Sequence, residues 1–431
     1  MRSPMLFASF ACVLAIACSH AVAQSDHPSN PRTQLTGVTD YIVGEPIRHK
    51  NLTIFPVLSK VERKGDRYTT LDEGLRAGTV QVIEVGSTPS DDPQVAPAAQ
   101  QGQAVQQPGN APAHPTAIAQ GGPQAANARA QRVQANFRPI EDDGNQVNQL
   151  MVVNKSGKPL YLMPGEVIVG GSQDRTIGTE MTIAPTGKPV PIDVFCVEHG
   201  RWHARDDAES TSLYVALQNS PAKAKQLAAE ARKGYFADTA APLSKAARVA
   251  VQSDKSQQAV WDNVAKNNAA LSVDSDSGTF TRSYVDGRVK AELEPYTTAL
   301  TAKVAGQNQI VGAIVAINGK IESLDVFEST PLFRKLWPKL LKSYALDAVS
   351  TVAAVKPAGK DSKMSKVQAP GKESTVADAS RFLNKVLAGA VRDKQTKAGL
   401  VTIHREADGA KSYSAGGGMG GAPIHAAGFA P

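Results

Sequence analysis

The chain has 431 residues, with 47 Lys and Arg against 40 Asp and Glu, for a formal charge of +7. That length suffices for one large globular domain or two ordinary ones. The basic residues Lys223, Lys225, Arg232 and Lys233 are interleaved with alanines, Gln226 and Glu230, as on a solvated helix face, and there is neither zinc-finger spacing nor aromatic-basic interleaving; this argues against sequence-specific nucleic-acid binding and leaves a weak attraction to anionic surfaces.

Residues 1–23 read as a signal peptide. Arg2 precedes an apolar run from Met5 to Cys18, and Ala21-Val22-Ala23 forms a small-x-small site with cleavage after Ala23. A periplasmic or secreted protein is expected. The apolar run is too short to span a bilayer comfortably, and no later stretch offers 18 consecutive apolar residues, so no transmembrane segment is expected. A lipoprotein signal ending in "LAIAC" would acylate Cys18, but it fits less well, because Ala15 stands where a bulky aliphatic is usual. Export removes Cys12 and Cys18 and leaves Cys196 as the single thiol, so no intramolecular disulfide can form. Cys196 is then a buried small hydrophobe, a reactive thiol or a ligand contact.

Residues 24–45 form an exposed leader. "NLTIFPVL" at 51–58 alternates as a strand. "YTTLDEGLRAG" at 68–78 reads as a short helix with Thr70 as cap and Glu73 closing a capping box, and "TVQVIEVG" at 79–86 is a second strand. Residues 87–143 contain almost no large apolar side chains, so ordering them costs more entropy than burial returns; a disordered insertion inside the domain is expected. Strands resume over 150–171, with turns at 155–158 and Pro164-Gly165, and over 178–200, with a turn near Thr186-Gly187. Pro189 and Pro191 argue for an edge or an irregular strand start.

The segment 210–270 is alanine-rich and reads as mostly helical, and within it Val260, Val264 and Leu271 share one face beside Trp261. A hairpin over 309–327 turns at Asn318-Gly319. An amphipathic helix over 330–354 repeats Leu332, Leu336, Leu340, Tyr344 and Ala348 at intervals of four, and Pro338 either kinks it or opens a second helix. A lysine-rich linker over 351–375, a helix over 376–392 and a mostly disordered Gly/Ala-rich tail over 393–431 complete the chain. The fold class is α+β: a single mixed sheet-and-helix domain over 46–350, interrupted by the disordered insertion, with a small C-terminal helical region.

Seven segments carry a resemblance when taken in order: "NLTIFPVL", "YTTLDEGLRAGTVQVIEV", "VNQLMVVNKSGKPLYLMPGEVIVGGSQDRTIGT", "IDVFCVEHGRW", "QQAVW", "IVGAIVAINGKIESLDVF" and "LFRKLWPKLLKSYALDAV". The chain resembles the bacterial family named for its association with ADP-ribosylglycohydrolases and the rhodanese-phosphatase superfamily. Its motif residues fall on Gly165, Glu166, Gly170, Gln173, Arg175, Cys196, Glu198, Gly200, Arg201, Trp202, Gln257 and Trp261. Ser172 and Asp174 depart from the lysine and asparagine usual in the family, and His199 stands where glutamine is more usual. The name records association rather than a reaction; what it implies is an ADP-ribose-like or nucleotide-sugar ligand, which an exported protein would rarely meet.

If sheet pairing sets the 165–175 loop beside 196–202, a cleft gathers Glu166, Glu198, Gln173, Arg175 and Arg201. Arginine suits planar anions through its rigid fork of donors. Two carboxylates could divide acid and base roles if burial separates their pKa values; otherwise Glu166–Arg175 and Glu198–Arg201 are ion pairs that fix loops. "GGSQDR" has the look of a phosphate cradle but lacks the lysine-hydroxyl pair. Cys196 with His199 invites a thiol nucleophile, and His199, His203, Glu198 and Asp206 lack the fixed spacing of a zinc motif. The expected ligand contacts are therefore Gln173, Arg175, Cys196, Arg201, Trp202, Gln257 and Trp261, with Gly165, Gly170 and Gly200 shaping loops. Glu166 and Glu198 are catalytic only if the protein is an enzyme, and no metal or cofactor is expected. The leading expectation is an exported, non-catalytic binding or accessory domain for a small polar or anionic ligand. The alternatives are a hydrolase of a nucleotide-sugar or ADP-ribose-like compound and an envelope-associated structural or interaction protein.

Overall fold

The computed structural model describes residues 40–84, 148–201, 203–218, 220–353, 373–397, 400–416 and 423–431. The expected signal peptide, most of the leader, the 87–143 insertion and most of the 351–375 linker lie outside these residues.

In chain order the first strands are β1 (Tyr41–Val43), β2 (Ile47–His49), β3 (Leu52–Ser59), β4 (Thr69–Thr70) and β5 (Val80–Glu84). Then come β6 (Gln149–Asn154), β7 (Leu160–Leu162), β8 (Val167–Gly170), β9 (Arg175–Ile177), β10 (Met181–Ile183), β11 (Pro189–Cys196) and β12 (Phe236–Ala240). The last are β13 (Ile310–Ile317), β14 (Lys320–Phe327), β15 (Ala390–Lys397), β16 (Leu400–Ala407), β17 (Ala410–Ala415) and β18 (His425–Phe429).

The fold is α+β, with two principal sheets. The larger runs β1-β3-β13-β14-β18-β17-β16-β15, with β2 beside β3. Its central strand β13 is a continuous apolar run, and all of it is buried because both sheet faces are covered. The helix Thr330–Ala353 packs on one face through Leu332, Leu336, Leu340, Tyr344 and Ala348, all buried, and it continues through Pro338 as one helix. The helix Val376–Ala388 covers the other face through Ala379, Phe382, Leu383 and Val386, which pack with Phe55, Val57 and Ile314. Asn318 and Gly319 both take positive φ in the β13–β14 turn, as a two-residue hairpin of the expected type requires.

The second sheet, β12-β8-β9-β11-β6-β5, carries or borders the motif residues of 165–175 and 196–201, while Gln257 and Trp261 lie on the helix Gln257–Ala270. β5 and β6 are antiparallel neighbours, so the chain between Glu84 and Gln149 joins two paired strands. β11 pairs with β6 over Pro189–Asp193 and with β9 over Val194–Cys196, so the two prolines sit where one side of the strand lacks a ladder partner. The Thr70–Glu73 capping box closes the helix Leu71–Arg76 as expected.

Several expected boundaries need correction. The leader end Tyr41–Val43 pairs with β3 and belongs to the sheet. The segment 210–270 is mostly helical, as expected, and also contributes β12, which pairs with β8. Among its described residues, the tail from 393 is built of strands, and the helix before it stops at Ala388. β18 lies between β14 and β17, so the domain extends far past residue 350. The small residues there serve close packing: a Cβ on Gly428 would lie 2.2 Å from a methyl of Val386 on the covering helix.

Candidate functional site

The β8–β9 turn brings the glycine-rich stretch back on itself. Gly170 and Gly171 hold φ of 141° and 51°, and a Cβ on Gly170 would lie 2.5 Å from the Tyr235 carbonyl oxygen. The donors of this turn are already used. Ser172 donates its backbone N–H (2.7 Å) and its hydroxyl (3.1 Å) to the carboxylate of Glu84. Gly170 N–H donates to Asp174 Oδ1, and Asp174 N–H donates to Glu198 Oε2 at 3.0 Å. A phosphate would have to displace the protein's own carboxylates.

Beneath the turn lies a buried ion cluster. Arg205 donates to both oxygens of Asp174 at 2.9 and 2.8 Å and to Glu198 at 3.0 Å. Arg201 donates to Glu198 Oε2 at 2.7 Å and to the carbonyls of Gly171 and His203. Thr279 and Thr281 add hydroxyl donors to Asp174 Oδ2, each at 2.8 Å. Burial alone would push Asp174 upward, but Arg205 and Arg201 outweigh it and hold the carboxyl at about 2. Two guanidiniums thus face two carboxylates, a balanced set whose geometry is bidentate where it is strongest. Gln173 ties the cluster to β9: its amide donates to the Glu198 carbonyl and accepts from Arg175.

The cluster forms one wall of an open cleft of about 550 Å³ between the helix Asp207–Gln218 and the 274–285 segment. Arg201, Arg205 and Arg282 share its lining with Glu209, Asp274 and Asp276, and with Ser212, Ser275, Ser277 and Thr279. Gly200 lets the chain approach closely here: its N–H donates to the Ser277 carbonyl at 2.8 Å, and a Cβ would stand 3.2 Å from Ser277 Cα.

The other expected site residues lie elsewhere. Glu166 does not join Glu198. It is fully buried, accepts from the Met163 N–H at 2.9 Å and pairs with Lys339, which also pairs with Asp72. Burial pushes its carboxyl up against the pull of Lys339. The two glutamates therefore sit in separate ion clusters, and the pair Glu166–Arg175 does not form. Glu198–Arg201 does form, as an ion pair that fixes the loop. Gln257 caps the end of β11, accepting from Cys196 N–H and donating to the Cys196 carbonyl, both at 2.8 Å. Trp261 meets His199 edge to face with centroids 4.4 Å apart. Gly165, at φ 89°, leads into β8. Trp202 lies outside the described residues.

Cys196 is fully buried, and burial pushes its thiol upward against the pull of Arg175. The native chain from Gln24 onward is expected to resist alkylation by iodoacetamide, with modification of Cys196 appearing only in denaturant. Mass spectrometry of the Cys196 peptide checks this, and rapid labelling of the native protein would contradict the burial.

Sequence reasoning missed Glu84, Asp174, Arg205, Thr279, Thr281 and Lys339 as the partners that hold these motifs. Asp174 carried a signal, because an acid in place of the family's asparagine calls for a cation nearby, and Arg205 supplies it.

The chain matches the family model for the ARG and rhodanese-phosphatase-superfamily-associated protein domain over residues 40–96 and 121–428. No curated protein and no solved structure matches it significantly. The match covers the motif loops, both sheets and the C-terminal strands, so the chain belongs to the ARG and rhodanese-phosphatase-superfamily-associated protein domain family.

Proposed function

We propose that this protein is an exported, non-catalytic binding domain whose ligand is a small polar molecule held in the cleft beside Arg201 and Arg205. The observation that carries the reading is the separation of Glu166 and Glu198 into two ion clusters, each carboxylate paired with its own cation. A hydrolase using these residues needs both at one reacting centre with their pKa values set apart. The cleft instead offers hydroxyls and charges of both signs on its walls. Asp174 and Glu198 neutralise Arg201 and Arg205 from behind, and the rim acids repel anions. That balance favours a neutral polar or zwitterionic ligand over a phosphate-bearing one. No helix among the described residues is long and apolar enough to cross a membrane.

The test is a thermal-shift screen of the chain from Gln24 onward against amino acids, nucleosides, nucleotides, ADP-ribose and simple sugars. Ser212→Tyr fills the cleft from an exposed helix position, and Arg282→Ala removes an exposed rim charge. A ligand that binds only the native state raises its apparent stability. A shift in the wild type that both variants lose supports the reading. A shift that survives both variants, or turnover of the bound compound, overturns it.

A further inference from the structure

A second cleft of about 640 Å³ opens elsewhere on the molecule and shares no lining residue with the first. Its walls come from the segment between β9 and β10, from the end of β11, from residues 252–255 and from the C-terminal strands β15–β17. The family motif residues do not account for it.

Its most informative residue is Gln252. The side chain lines the cleft and the residue is 8% exposed, yet its amide nitrogen has no hydrogen-bond partner among the described residues. A buried amide left unpaired forfeits the hydrogen bond it made to water, so a site that keeps one invites a ligand acceptor. His404 repeats the pattern: it lines the same cleft, and its buried Nε2 also lacks a partner among the described residues. Its ring stacks on Tyr413, with centroids 4.6 Å apart and planes 14° from parallel. Half-buried Phe195 adds a further apolar surface.

The charges on the lining are of both signs, with acids in excess. Asp193 and Asp393 line the cleft together with Lys255, whose ammonium donates to Gln395 at 2.6 Å, while the Gln395 amide donates to Asp393 at 2.7 Å and the Thr179 hydroxyl to Asp193 at 3.2 Å. The carboxylate of Glu180 is matched by His425 at 3.3 Å, so it leaves little uncompensated charge. What remains is a set of amides, hydroxyls and carboxylates beside aromatic rings, in a volume typical of small-molecule sites. Carboxylates accept strongly from hydroxyl donors, amides can donate and accept at once, and aromatic faces suit the C–H side of a pyranose ring. We propose that this cleft binds a neutral saccharide, with Gln252 and His404 satisfying their open hydrogen bonds on its hydroxyl groups.

Saturation-transfer-difference NMR and calorimetry on the chain from Gln24 onward test the proposal. The probes are glucose, galactose, N-acetylglucosamine, maltose, cellobiose and chitobiose, with glucose 6-phosphate and spermidine as charged controls. At least one neutral sugar is expected to bind, with affinity falling tenfold or more in Gln252→Leu and in His404→Ala and unchanged in Arg282→Ala at the other cleft. Gln252→Leu is also expected to be at least as heat-stable as the wild type, because it removes an unpaired buried amide; a merely structural glutamine would lower the melting temperature instead. If Gln252→Leu does not fold, Asp393→Ala on exposed β15 reads the same loss of binding. The proposal fails if no neutral sugar binds, if spermidine alone binds, if glucose 6-phosphate binds better than glucose, or if the variants bind as the wild type does.

Discussion

Arg205→Met is expected to destabilise the fold by about 3–5 kcal/mol, the range for breaking a buried ion pair by removing one partner. Arg205 is 6% exposed and hydrogen-bonds both acids of the cluster. Methionine fills much of its volume but leaves Asp174 with Thr279, Thr281 and a more distant Arg201 at 3.6 Å. The acid limb should move as well. Because Asp174 is lowered to about 2, its contribution is present above its unfolded value of ~3.9 and is lost as pH falls toward 2. Without Arg205 burial dominates, the carboxyl takes up its proton at higher pH, and acid unfolding begins earlier. Urea denaturation at pH 7 and pH 4 measures both effects. The double variant Asp174→Asn/Arg205→Met should lose clearly less than the sum of the single losses, since removing the acid relieves the uncompensated charge. A loss under 1 kcal/mol in Arg205→Met would show that water replaces the guanidinium and that the cluster does not hold the loops.

Features whose cause lies within a few residues are legible in the sequence, and those that depend on distant partners are not. Asn318-Gly319, the Thr70–Glu73 capping box and the four-residue spacing on the helix Thr330–Ala353 each have their cause within a few residues. The C-terminal strands are hard to see in the sequence because their glycines and alanines offer little apolar area to mark a core. In the structure those small residues let the helix Val376–Ala388 lie close on the sheet, a reason that exists only once both are placed. One local signal was passed over: Asp408-Gly409, both at positive φ, turns β16 into β17. At the site, Glu198–Arg201 is three residues apart and was legible. Arg205 reaches Asp174 across 31 positions, Thr279 across 105 and Lys339 reaches Glu166 across 173. No spacing rule links such partners, so the sequence leaves open whether two glutamates on neighbouring loops meet in one cleft or are held in separate ion pairs; in the structure Lys339 claims Glu166, and Arg201 and Arg205 claim Glu198.

The second large effect concerns pH. His425 is 1% exposed, donates to Asp325 at 2.9 Å, lies 3.3 Å from Glu180 and stacks on Phe327. Burial pushes its pKa down, but Glu180 and Asp325 outweigh this and raise it from 6.5 to about 9. Arg248 grips the same Asp325, so the charges are two and two: Arg248 and His425 against Asp325 and Glu180. A group raised in the folded state contributes fully below its unfolded pKa and loses that contribution as pH rises through the folded one. Stability is therefore expected to fall by on the order of 3 kcal/mol between about pH 6.5 and pH 9 through this residue. His425→Gln keeps a hydrogen-bonding side chain without the titration, so its stability should be flatter across that window although lower at pH 6. Urea denaturation at pH 6, 7.5 and 9 on both proteins reads the difference, and a parallel fall in the variant would assign the loss to other groups. Asp347 does not confuse the reading. Burial raises its carboxyl to about 7, so its own contribution declines between its unfolded value of ~3.9 and 7, and that window closes largely where His425's opens. Subtracting the variant's curve from the wild type's removes what overlap remains, and the steepest part of the difference should sit at about pH 7.5 to 8, midway between the unfolded and folded pKa values, where a solvent-exposed histidine has already lost most of its proton.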